Sequence, residues 1–123
     1  SLEELAKEEQ LEAMESDERE GLVREYLDLL LPEDWDTMDL YERRAYINGT
    51  EFGESNRVGV RKRKSVSNME IWCECFGKDR ANLRRVDGNE ISAIMASIGG
   101  WTGLVKKERI PLYGPQWVYV PKE

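Results

Sequence analysis

A chain of 123 residues with 40% hydrophobic and 35% charged side chains can bury one usable core and suits a single compact domain. No apolar run approaches the roughly 18 to 20 residues of a membrane span and no charged-then-apolar leader opens the sequence, so a cytoplasmic location with no membrane partner is expected. Histidine is absent, which removes the usual near-neutral base and the usual activator of Ser or Cys nucleophiles, and no catalytic centre is read. The net charge of −7 hides a polarised molecule: residues 1–54 carry 5 Lys/Arg against 18 Asp/Glu, residues 55–123 carry 13 against 7. The basic half is where a polyanion-facing surface is sought, although a basic stretch can also dock on an acidic one.

Residues 2–15 are strong helix formers, but Leu2, Leu5 and Ala6 are not continued at helical spacing, so this helix reads as an arm or linker without a core stripe. Its glutamates read as a solvated face. Asp17 and Glu20 form a capping-box pattern before Leu22, Val23, Tyr26, Leu27 and Leu30, and that helix stops at Pro32. After a turn through Trp35, Asp39 and Glu42 can cap a short helix over 40–47, closed by Asn48-Gly49. Residues 50–56 read as loop, and Val58, Val60 and Val66 suggest a short extended piece around the basic run.

Ser67 and Glu70 make a second capping box, with Met69, Trp72, Cys73 and Phe76 at i, i+3, i+4, i+7 before Gly77. A turn with a helical kink follows over 78–86. Asp87 and Glu90 are then read as the cap of a helix whose inner face is Ile91, Ile94, Met95 and Ile98, ended by Gly99-Gly100. Runs 106–113 and 116–120 are β-favouring and separated by Gly114-Pro115, which gives a closing hairpin whose prolines, Pro111 and Pro121, mark edge-like strands. Cys73 and Cys75, two apart, point to different faces and neither bridge nor chelate without further ligands; they read as structural thiols, and no metal or cofactor is expected.

In order, these elements are helix, short strand, helix, turn, helix, hairpin. The fold expected is therefore mostly α with some β (α+β): a winged helix-turn-helix with extra amino-terminal helices and a carboxy-terminal β-hairpin, residues 1–34 forming an arm and 35–123 the winged-helix-like domain.

The segments LPEDWDTMDLYERRAYING, MEIWCECFGKDRANLRR, NEISAIMASIGGW and YGPQWVYV resemble the carboxy-terminal end of virulence-associated E family proteins, over about residues 16–121. The resemblance implies a fragment of a phage or mobile-element replication protein whose P-loop ATPase core, related to ring helicases, lies upstream. That core is not in this sequence: the only Gly-Lys, Gly77-Lys78, is followed by Asp79 and has Trp72 at the first-glycine position of a P-loop, so no ATP binding is expected.

In a winged helix the second helix of the turn motif enters the major groove. Here that is 88–98, whose outward face reads as Asn89, Ser92, Ala93, Ala96 and Ser97; Asn89 alone could read a base in bidentate fashion. Positive charge flanks it instead: Arg61, Lys62, Arg63 and Lys64, then Arg84 and Arg85, then Lys106, Lys107 and Arg109. Such placement suits sequence-nonspecific phosphate contacts to DNA. Tyr113, Trp117 and Tyr119 share one strand face and are expected to cover the helices. The leading expectation is a non-catalytic accessory domain that helps a replication ATPase hold DNA; the alternative is a docking module for the rest of the parent protein or other replication proteins.

Overall fold

The computed structural model describes residues 16–48 and 58–122. Among them the chain forms a small α+β domain of four helices and a three-stranded antiparallel sheet. The helix read over 2–15, the loop 50–56 and Gly49 lie outside the described residues.

Helix α1, Ser16–Asp28, turns Val23, Tyr26 and Leu27 inward and packs along α4, Arg85–Ile98, which supplies Ile91, Ile94 and Met95. Val66, Ile71 and Tyr119 complete that core. α1 forms one wall of this core, with its apolar stripe buried against α4. After Asp28 the chain leaves the helix, so Leu30 turns out (41% exposed) and Leu31 turns in. Leu31 joins Trp35 and Met38 in a second small cluster, reached by a 3-10 turn over Trp35–Thr37.

Helix α2, Leu40–Asn48, begins on the expected box: the Glu42 amide donates to Asp39 Oδ1 at 2.8 Å and the Asp39 amide to Glu42 Oε1 at 3.3 Å. Strand β1 is only Val66–Ser67, and the rest of the extended piece is tied by a single bridge between Arg61 and Leu31. Ser67 caps α3, Asn68–Glu70, with both reciprocal bonds present. The helix then widens into a π turn over Ile71–Cys75, where the Phe76 amide donates to the Ile71 carbonyl at 3.0 Å. That extra residue rotates the face: Glu70, Ile71, Cys73 and Glu74 are buried, while Met69, Trp72 and Phe76 are half-buried. Gly77 at φ 68° ends it in the left-handed conformation.

A 3-10 turn, Arg80–Asn82, leads to α4, which starts two residues before the expected cap. Arg84 is the boundary residue, and Asp87 sits in the first turn and reaches back to accept from the Arg84 amide at 3.0 Å and its Nε at 3.1 Å. Strands β2, Lys106–Ile110, and β3, Gly114–Tyr119, form the hairpin, but its turn is Pro111 to Tyr113, with Leu112 at φ 76°, and Gly114-Pro115 open β3 instead. The sheet order β1-β3-β2 makes β3 central rather than edge-like. Pro115 is tolerated there because β1 pairs only with Val118 and Tyr119 and leaves the start of β3 uncovered on that side.

Candidate functional site

Cross-strand register decides which hairpin residues stand together. Lys107 faces Trp117 and Arg109 faces Pro115 across β2 and β3, and directly opposed residues project from the same side of a sheet. All four are exposed, Trp117 at 53%. Tyr119, two residues along the same side, is buried against the core, and its hydroxyl lies 2.8 Å from Ser92 Oγ of α4 and donates to Asn68 Oδ1 at 2.6 Å. Trp117 thus stands about 7 Å along the strand from Tyr119, the residue that meets α4. It does not cover the helices; of the three aromatics expected to do so, Tyr119 does and Tyr113 does, the latter buried at the hairpin turn with its hydroxyl on Glu74 of the π turn.

Lys106 lies on the other side of β2, opposite Val118, and its ammonium pairs with Glu108 at 2.8 Å. Glu108 also accepts from Ser65 Oγ at 3.4 Å. This side of β2 borders a cleft of about 290 Å³ lined by Arg61 to Ser65, Arg109, Trp35 and Arg43. Lys62 and Lys64 are exposed on its wall, and Arg61 sits 3.6 Å from Asp36. Arg109 belongs both to the cleft and to the outward hairpin face, so it joins the two basic regions.

Arg63 does not join the others at the surface. Its guanidinium is buried, stacked 4.3 Å from the Tyr26 ring and 5.6 Å from that of Trp35, with Nη1 3.4 Å from Glu70. Nε and Nη2 have no hydrogen-bond acceptor, and the π faces of the two rings stand in for one. Arg84 and Arg85 are exposed at the start of α4, where Arg84 holds the Asp87 carboxyl below the usual range through a side-chain hydrogen bond. On α4, Asn89, Ala93, Ala96 and Ser97 do face outward with Val86, which is 59% exposed. Ser92 is turned to Tyr119, and Ser97 donates to Glu20 of α1 at 3.1 Å.

Sequence reasoning missed the interior charge. Arg43, 2% exposed, pairs with Glu74 at 3.0 Å, donates to the Trp35 carbonyl at 2.8 Å and stacks 4.5 Å from that indole. Glu74 also accepts from the Tyr26 hydroxyl at 2.7 Å and from Tyr113 at 2.6 Å. Burial beside this carboxylate raises both phenol pKa values well above the ordinary range. Both Glu74 carboxylate oxygens therefore meet donors, which offsets the cost of burying the charge, while the Arg43 Nε has no acceptor among the described residues. The one available signal was a glutamate set between Cys73 and Cys75 in an otherwise apolar run. Both cysteines are free, and burial pushes the Cys73 thiol up to about 11 and Cys75 up to about 12, so neither is a thiolate nucleophile at neutral pH.

Among the described residues no group of His, Cys, Asp and Glu side chains is placed to hold a metal ion, and no helix is long and apolar enough to cross a membrane. No known family model matches the chain, and no curated protein matches it.

Proposed function

We propose that this domain is a non-catalytic DNA-binding module of winged-helix type that grips nucleic acid mainly through phosphates, in the service of a mobile-element replication ATPase. The observation that carries the reading is the hairpin register: Lys107, Arg109 and Trp117 share one exposed face, and that face runs into the flank of α4. The order helix, strand, helix, helix, hairpin, with β1 hydrogen-bonded to β3, supports the winged-helix assignment. The α4 surface of Asn89, Ala93 and Ala96 begins at Arg85, the first residue of the helix, and beyond that one guanidinium it is small and uncharged and allows close approach of a phosphate backbone, which favours backbone contacts over sequence selection. The tie to a replication ATPase rests on the EIWCECFGK and NEISAIM segments.

The cations that serve are Lys62, Lys64, Arg85, Lys107 and Arg109, with Arg61 and Arg84 beside them. Arg63, sealed in the core, is left out, and Lys106 is turned to Glu108. The test is titration of a fluorescent oligonucleotide at low and at physiological salt. Binding at low salt that weakens when Lys62, Lys64, Lys107 and Arg109 are replaced by Ala supports the proposal; no binding at low salt, or binding indifferent to those replacements, refutes it.

A docking role for a different surface has its own support. Leu30, Val58 and Val60 are exposed together, with Gly59 packed directly on Leu30, an apolar patch suited to the parent protein.

A further inference from the structure

We infer that Trp117 is a stacking platform for an unpaired base, so that the domain takes single-stranded DNA, or the single strand beside a duplex, in preference to duplex alone. The inference rests on the nucleic-acid reading above and names the form of DNA that the same face takes.

Phosphate contacts alone need no aromatic. A tryptophan is among the most favourable side chains to bury, yet Trp117 is 53% exposed while Tyr119, two residues away on the same side, is 2% exposed. The sheet does not lack helix cover at Tyr119; cover ends before Trp117, and the indole is left beside Lys107 on the neighbouring strand. Val105, 54% exposed and two residues before Lys107, extends the apolar part of that side. An indole with two cations on the neighbouring strand, Lys107 directly opposite and Arg109 next along β2, matches what an unpaired nucleotide requires: a π surface for the base and positive charge for its phosphates.

Duplex DNA cannot use this arrangement fully, because its bases are already stacked on each other and only its phosphates and groove edges are exposed to a flat indole. Nor is Trp117 held by a ring partner among the described residues: the aromatic pair is Trp35 with Tyr46, and the cation–ring contacts are at Trp35, Tyr26 and Tyr113. Its face is open to a ligand.

The experiment uses the 123-residue chain with an oligothymidylate of about 15 nucleotides and a duplex of similar length, at low salt. Trp117→Ala is expected to weaken binding of the single strand about tenfold or more while changing duplex binding less than about twofold, and Trp117→Phe to restore most of the loss. Emission of the wild type minus that of Trp117→Phe isolates Trp117 from the other three tryptophans, and oligothymidylate should quench it. Because Trp117 is exposed, its replacement leaves the core intact, and near-ultraviolet circular dichroism of each variant verifies this. Equal loss on both DNA forms, or no loss on either, with unquenched emission, overturns the inference while leaving the phosphate-gripping module in place. Binding to neither form by the wild type overturns both.

Discussion

At the scale of single residues, the least expected feature is an ion pair at the centre of a domain this small. Arg43 and Glu74 are both essentially inaccessible, and each is held by further groups: the Trp35 carbonyl and indole for the arginine, the Tyr26 and Tyr113 hydroxyls for the glutamate. Removing one partner leaves a buried charge unanswered. Arg43→Met is therefore expected to cost about 3–5 kcal/mol in urea unfolding, and combining it with Glu74→Gln to return a substantial part of that loss; strict additivity of the two would show that the pair is not coupled. Arg43 was not legible in the sequence, because it sits in a charged Glu-Arg-Arg run and reads as solvated, and only the place of Glu74 between two cysteines hinted at its partner. Glu70 makes a second case. Burial lifts its pKa from 4.5 to about 7, against the opposing pull of the Arg63 charge. Between those values the folded chain keeps a proton that the unfolded chain has released, so this contribution to stability is complete below about pH 4.5 and is lost as pH rises through about 7. Its slope is at most about 1.4 kcal/mol per pH unit. Denaturant midpoints measured across that range should fall with pH in the wild type and lose this component in Glu70→Gln; an unchanged profile in the variant would place the titration elsewhere.

At the scale of elements, capping chemistry was the most legible signal and register the least. The Asp39–Glu42 and Ser67–Glu70 boxes appear as read, because a side chain three residues from a helix start has few other amides to reach. The same logic misplaced the start of α4: the Asp87 carboxylate does accept from a boundary amide, but from inside the first turn, from Arg84, whose side chain can only donate and accepts nothing in return. In α3 the π turn rotates the face away from the expected stripe, and local spacing carries no trace of an inserted residue. The hairpin turn moved for a chemical reason, since Arg80 donates to the carbonyls of Leu112 and Tyr113 and fixes the bend there, a contact 32 to 33 residues distant in sequence. One element depends on a missing side chain. A Cβ on Gly59 would lie 2.6 Å from the Leu30 carbonyl oxygen, 2.7 Å from the Leu30 Cβ and 2.7 Å from the Tyr46 hydroxyl. Gly59→Ala should accordingly separate the 58–61 segment from the end of α1 and destabilise by about 1–3 kcal/mol, read as a lower melting temperature; an unchanged melting temperature would mean that segment does not bear on the fold.

At the scale of the whole molecule, the asymmetry between an acidic first half and a basic second half was plain in the sequence, and folding redistributes it unevenly. Some of the basic run goes inside with Arg63, some is answered by Asp36, Asp87 and Glu108, and the remainder is gathered at the cleft rim and hairpin. The proposed footprint is therefore smaller than a count of cations suggests. If Lys107 and Arg109 each meet a phosphate of B-DNA, replacing both should reduce the slope of log affinity against log salt by roughly 1.8, whereas an unchanged slope would remove them from the interface. The tether of the hairpin turn to Arg80 has a further consequence. Its tip is fastened to the segment that leads into α4, and its base to α4 through Tyr119 and Ser92, so the ribbon and the helix cannot reorient separately. If DNA docks on this surface as proposed, it meets a ribbon and helix already held together, and the speed of capture should then be governed by charge-guided diffusion rather than by a closing motion of the protein.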